Sequence, residues 1–73
     1  MKYVGTNRAV VVGDLVRYHG ELGHIVFIIQ EHAFLPDYPE REWGYLKKGI
    51  GVKIQGGDLF RIDEPDEDLM PAD

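Results

Sequence analysis

The chain has 73 residues, a formal net charge of −5 and no cysteine. That length makes one domain with a single core, and a domain so small hides only about 60% of its unfolded surface, so modest stability is expected. Without cysteine there is neither a disulfide framework nor a thiolate zinc site, and with no serine and Thr6 as the single small hydroxyl a Ser-His-Asp triad is excluded. Met1-Lys2-Tyr3-Val4-Gly5 lacks the apolar centre of a secretory signal, and no apolar run approaches the ~20 residues of a membrane helix. A soluble, cytoplasmic protein without membrane association is expected.

Residues 1–9 have no hydrophobic period and read as an N-terminal arm, with Tyr3 and Val4 free to pack on the sheet. Val10-Val11-Val12 opens a β-branched run that is interrupted at Gly13-Asp14 and resumes at Leu15-Val16-Arg17-Tyr18, predicting one bent strand or two short ones over 10–18. After the Gly20 and Gly23 connection, His24-Ile25-Val26-Phe27-Ile28-Ile29-Gln30 is the most apolar run in the chain. It is too continuous to point inward from one face. A strand over 23–30 that is covered on both sides, or strongly twisted in a closed barrel, is predicted.

From 31 to 48 the pattern changes to a long loop, longer than a hairpin connection needs. Within it Asp37 is placed to cap a single helical turn that has Pro39 near its start and Gly44 at its end. Ile50, Val52 and Ile54, then Phe60 and Ile62, alternate on either side of Gly56-Gly57 and predict a hairpin with strands over 50–55 and 58–62. Gly49 and Gly51 flank Ile50 with no helix after them, so they read as turn and bulge positions and not as a phosphate cradle. Asp63 to Asp68 forms a turn, expected to include one 3₁₀ turn, ahead of a last strand over 68–70 and a frayed 71–73.

The order Val12-Gly13-Asp14-Leu15-Val16-Arg17-Tyr18, Gly23-His24-Ile25-Val26, Gly51-Val52-Lys53-Ile54 and Asp66-Glu67-Asp68-Leu69 resembles an SH3-like small barrel of the KOW or Tudor kind. It is also similar to short bacteriophage and prophage proteins in which a small barrel ends in a Pro-x-Asp-Leu segment. The resemblance spans residues 10–70 and implies an all-β barrel of about five strands. It implies little about activity, because one fold hosts many functions. Plasmid-borne type II dihydrofolate reductases share this architecture, but their pore carries Val-Gln-Ile-Tyr where this chain has Leu59-Phe60-Arg61-Ile62. A small oligomeric enzyme is therefore the least favoured reading.

Charge is distributed unevenly. Six of the acids, Asp63, Glu64, Asp66, Glu67, Asp68 and Asp73, fall in the last eleven residues, which carry no base. Such a cluster either imitates a phosphate backbone towards a partner or simply keeps the turn solvated. The loop concentrates Phe34, Tyr38, Arg41, Trp43 and Tyr45, residue types that dominate protein interfaces, although a small barrel could equally use Trp43 and Tyr45 to plug its open end. The sequence thus reads as a non-catalytic interaction protein, phage or mobile-element encoded, that meets a protein partner through the aromatic loop 34–45, the acidic turn 63–68, or both. The alternative is nucleic-acid binding through Arg8, Arg17, Lys47 and Lys48, against which stands the lack of a broad basic patch. His19, His24 and His32 lack a zinc-ligand spacing, and no metal, cofactor or catalytic residue is expected.

Overall fold

An apolar run such as Ile25–Ile29 can be buried completely only if the sheet that carries it is covered on both faces. A computed structural model, describing residues 1–72, shows how this is done. All of the run but Ile29, which opens a 3₁₀ turn over Ile29–Glu31, lies in β2 (Glu21–Ile28), which sits between β1 (Leu15–Tyr18) and β4 (Ile50–Ile54) and also pairs with a two-residue β3 (Ala33–Phe34). β5 (Leu59–Ile62) and β6 (Leu69–Pro71) complete an antiparallel sheet of order β5-β4-β2-β1-β6. The all-β expectation holds. The sheet has six strands and is open, with β5 and β6 ending its order, in place of a closed barrel of about five.

A bulge divides β2 between the two faces. Ile25 pairs with Val52 and Phe27 with Gly51, so β2 advances two residues while β4 advances one, and Val26 is the extra residue. Ile25 and Ile28 consequently share the inner face with Val16, Tyr18, Ile50, Val52, Ile54 and Leu69. Val26, Phe27 and Ile29 build a second cluster on the other face. Gly51, expected as a bulge residue, lies opposite the bulge. Its missing side chain is what admits the Phe27 ring: a Cβ there would stand 2.4 Å from Phe27 Cε2.

Residues 31–48 fold back over Phe27. Trp43 and Phe34 stack on its ring at centroid separations of 5.0 and 5.9 Å, and Leu35, Tyr38 and Leu46 pack around them. A four-residue helix, α1 (Glu40–Trp43), lies within this cap, followed by a 3₁₀ turn over Gly44–Leu46. The expected helical turn is present, but Asp37 does not cap it: extended Pro39 occupies the cap position with no side-chain bond. Instead His32 Nδ1 and Glu40 Oε2, 2.6 Å apart, tie the start of the cap to the first residue of α1.

Several expected boundaries move. The first strand begins at Leu15, because the backbone turns at Gly13, whose φ of 96° suits only glycine. Gly13 N–H donates to the Ile25 carbonyl, Ile25 N–H donates to the Asp14 carbonyl, and Val11 N–H bonds the Asp14 carboxylate. Val10 is buried while Val11 is exposed. Residues 1–9 are held against the core: Lys2 bridges Ala9, the Tyr3 side chain is buried, and its hydroxyl donates to Asp14 at 2.8 Å. Val4 stays exposed. The Gly56-Gly57 turn is formed, closed by Ile54 N–H on the Asp58 carbonyl at 2.7 Å. At the C-terminal end Pro71 is paired in β6 and Ala72 N–H bonds the Leu15 carbonyl, where fraying was expected of 71–73; Asp73 lies outside the described residues.

The seat of Phe27 yields a prediction. Gly51→Ala should destabilise the domain by about 1–3 kcal/mol, the usual cost of overpacking, as measured by urea unfolding. In a Phe27→Leu background the same change should cost clearly less, since the ring it strikes is gone. Equal costs in both backgrounds would show that the ring contact is not the cause.

Candidate partner-binding surface

The connection from β5 to β6 crosses the end of the sheet beside the β1–β2 hairpin. It is a compact turn in place of the expected 3₁₀ turn. Asp66 Oδ1 accepts the Asp68 N–H at 2.9 Å, and the Asp66 carbonyl accepts the Leu69 N–H at 3.1 Å. His19, in the left-handed region at φ 51° in the tight turn before Gly20, donates its backbone N–H to the Asp68 carbonyl at 3.2 Å. Its Nδ1 lies 3.5 Å from Asp68 Oδ2. One backbone bond thus ties the acidic turn to the β1–β2 turn. Glu64 and Glu67 are exposed to solvent, and Asp63 pairs with Arg61 at 3.0 Å.

Aromatic rings border this turn. The His19 ring packs on Tyr18 at 4.3 Å and the Phe60 ring lies 5.7 Å from Tyr18. Tyr18 belongs to β1 and Phe60 to β5, with β2 and β4 between them in the sheet, so this contact exists only because the sheet curls. Phe60, expected to lie with the core residues of its hairpin, is 40% exposed at the rim of the curl. Burial, with the negative charges of Asp66 and Asp68 adding to it, holds the Tyr18 phenol above its ordinary pKa. The two carboxylates therefore act on the Tyr18 phenol, and negative charge beside a ring is an arrangement that attracts cations.

The sequence-predicted site residues fall into distinct places. Phe34, Tyr38 and Trp43 are half-buried in the cap on Phe27, whereas Arg41 is exposed and Tyr45 is 75% exposed. Of the acidic residues, Asp63, Glu64, Glu67 and Asp68 are exposed and Asp66 is half-buried as the acceptor that shapes the turn. Of the basic residues Arg8, Arg17, Lys47 and Lys48, all exposed, Arg17 and Lys48 attach to different strands. Arg17 stands on β1, while the Lys48 carbonyl is bonded by Arg61 of β5 at 3.1 Å, across β2 and β4 in the sheet. His19 and Phe60 join the site only through the fold. The hint for His19 is its place in a His-Gly turn, but nothing local shows that this turn meets Asp68.

No protein-family profile, curated protein or solved structure matches the chain. Among the described residues no helix is long and apolar enough to cross a membrane.

The environment of Tyr18 can be tested directly. In an ultraviolet titration its phenol should ionise above the usual value of about 10, and Asp68→Asn should bring that ionisation down. Because its folded-state pKa is raised, its contribution to stability is complete below the unfolded value. It is lost as pH climbs through the folded one, so Tyr18→Phe should lessen the alkaline loss of stability. An Asp68→Asn titration indistinguishable from the parent would remove that carboxylate from the ring environment.

Proposed function

We propose that this chain is a non-catalytic protein-interaction module, SH3-like in its curl and of phage or mobile-element origin, working in the host cytoplasm. It binds a basic segment of a protein partner through the acidic turn 63–68 and the rings beside it. The observation that carries the reading is the juxtaposition of Asp68 with the His19 ring and the buried Tyr18, at a rim where Phe60 is part-exposed and Glu64 and Glu67 of the same turn face solvent. Carboxylates attract a Lys or Arg side chain, and ring faces hold it through its quadrupole interaction and its apolar stem. The loop 34–45 supports the reading less. Its aromatic area is largely spent covering Phe27, leaving Tyr45 and Arg41 to extend a contact.

The barrel part of this reading is supported by the strand order, by the Tyr18–Phe60 contact across the curl, and by the Gly13-Asp14 bend that opens β1. Nucleic-acid binding through Arg8, Arg17, Lys47 and Lys48 is the weaker alternative, because phosphate tracking needs cations along one path.

The test uses a fluorescein-labelled peptide rich in Lys and Arg, with anisotropy as the readout. The Glu64→Lys, Glu67→Lys double variant should bind roughly tenfold more weakly, and added salt should weaken the parent steeply. Both positions are exposed, so the thermal transition should stay close to the parent's, whereas Asp66 is left intact as the turn's acceptor. Unchanged affinity in the double variant would sink the proposal.

A further inference from the structure

The acids of this chain are segregated, and the outer face of the sheet shows it. Beyond the cap, the outward positions in register are Leu15 and Arg17 on β1, Leu22 and His24 on β2, Lys53 on β4, and Met70 beside Arg17 on β6. Each is apolar, cationic or an imidazole. No carboxylate stands among them, although the chain has 13 acidic residues. Strand alternation enforces this, since Asp14 and Glu21 fall in the opposite phase to Leu15 and Leu22.

The same face carries a local depression. A groove of about 270 Å³ runs between Leu15 and Leu22 on one side and Ile54 to Gly56 on the other, with His24 and Lys53 also lining it. Leu15, His24 and Lys53 are direct neighbours across β1, β2 and β4. Lys53 Nζ donates to the Gly57 carbonyl, which keeps its ammonium at the hairpin end of the groove. Arg17 stands next to Leu22 on the adjoining strand. Leu15 is 43% exposed and Met70 59%, so aliphatic surface here faces water.

We infer that this groove binds an extended acidic peptide carrying an aliphatic anchor side chain. The aliphatic walls take the anchor out of water, and Lys53 and Arg17 attract the carboxylates that flank it. Charge complementarity favours an anionic partner on this face as clearly as it favours a cationic one at the 63–68 turn. A nucleic acid is the poorer fit, for no Phe, Tyr or Trp ring lines the groove to stack a base. The site is separate from the acidic turn and stands or falls independently of it.

The probe is a fluorescein-labelled peptide of sequence Asp-Leu-Glu-Leu-Asp-Glu, followed by anisotropy. Amide shifts of ¹⁵N-labelled protein give a second readout. Binding should shift the amides of Leu15, Gly23 and Gln55, and Arg17→Glu and Lys53→Glu should each weaken it by about tenfold. Arg17 is exposed, so that variant remains folded even if Lys53→Glu loosens the hairpin. A peptide with Ser in place of both Leu should bind at least roughly tenfold more weakly, reporting the anchor. Absent binding, equal affinity in the Arg17→Glu variant, or equal affinity of the Ser peptide would each overturn the proposal. So would tighter binding of an oligothymidine of matching charge, which would assign the face to nucleic acid, or a concentration-dependent dimer that the peptide fails to displace.

Discussion

The fold depends on one ring lying on one glycine. Phe27 belongs to the central strand yet points away from the main core, and it can lie flat against the sheet only because Gly51, opposite it, has no side chain. A fully buried phenyl ring cannot be left facing water on a sheet this small, so something must cover it. The long loop is that cover. Its aromatic residues stack on Phe27, and the His32–Glu40 contact ties its start to α1.

That constraint redistributes the candidate functional residues. Side chains that would serve an interface in isolation, Phe34, Tyr38 and Trp43, are committed to the second cluster, and their contribution is first of all to stability. What stays available is chemistry of a different kind: the carboxylates of the β5–β6 turn with the rings beside them, and a cationic, aliphatic groove on the uncapped part of the outer face. A net charge of −5 hides this division. The opposed charges lie on separate surfaces, and surface charge of this kind acts on recognition and association rate more than on raw affinity.

The curl of the sheet links these surfaces. Bulging at Val26 increases local twist, and strong twist brings β5 towards β1, which places Phe60 beside Tyr18. The turn over 63–68 then has to return beside β1 to start β6, and it is tied there by His19 and by the internal Asp66 bond. Core packing and the candidate binding rim are in this sense consequences of one irregularity in β2.

By itself, the sequence determined the features that depend on near neighbours. Alternating Ile50, Val52 and Ile54 before Gly56-Gly57 specified the hairpin, Gly13 specified the bend before β1, and the run 24–30 announced a strand needing cover on both faces, because period and turn chemistry act over a few residues. The acidic composition of 63–68 was equally legible. Only the tertiary structure decided that the loop would be the cover, that Gly51 would be the seat of Phe27 and not a bulge, and that Tyr3 would be core. It also decided that His19 and Phe60 would flank the acids, and that Arg17 and Lys53 would share an outer face free of carboxylates. These depend on strand register and on contacts between residues far apart in sequence, and a one-residue shift of register exchanges the faces of every side chain beyond it.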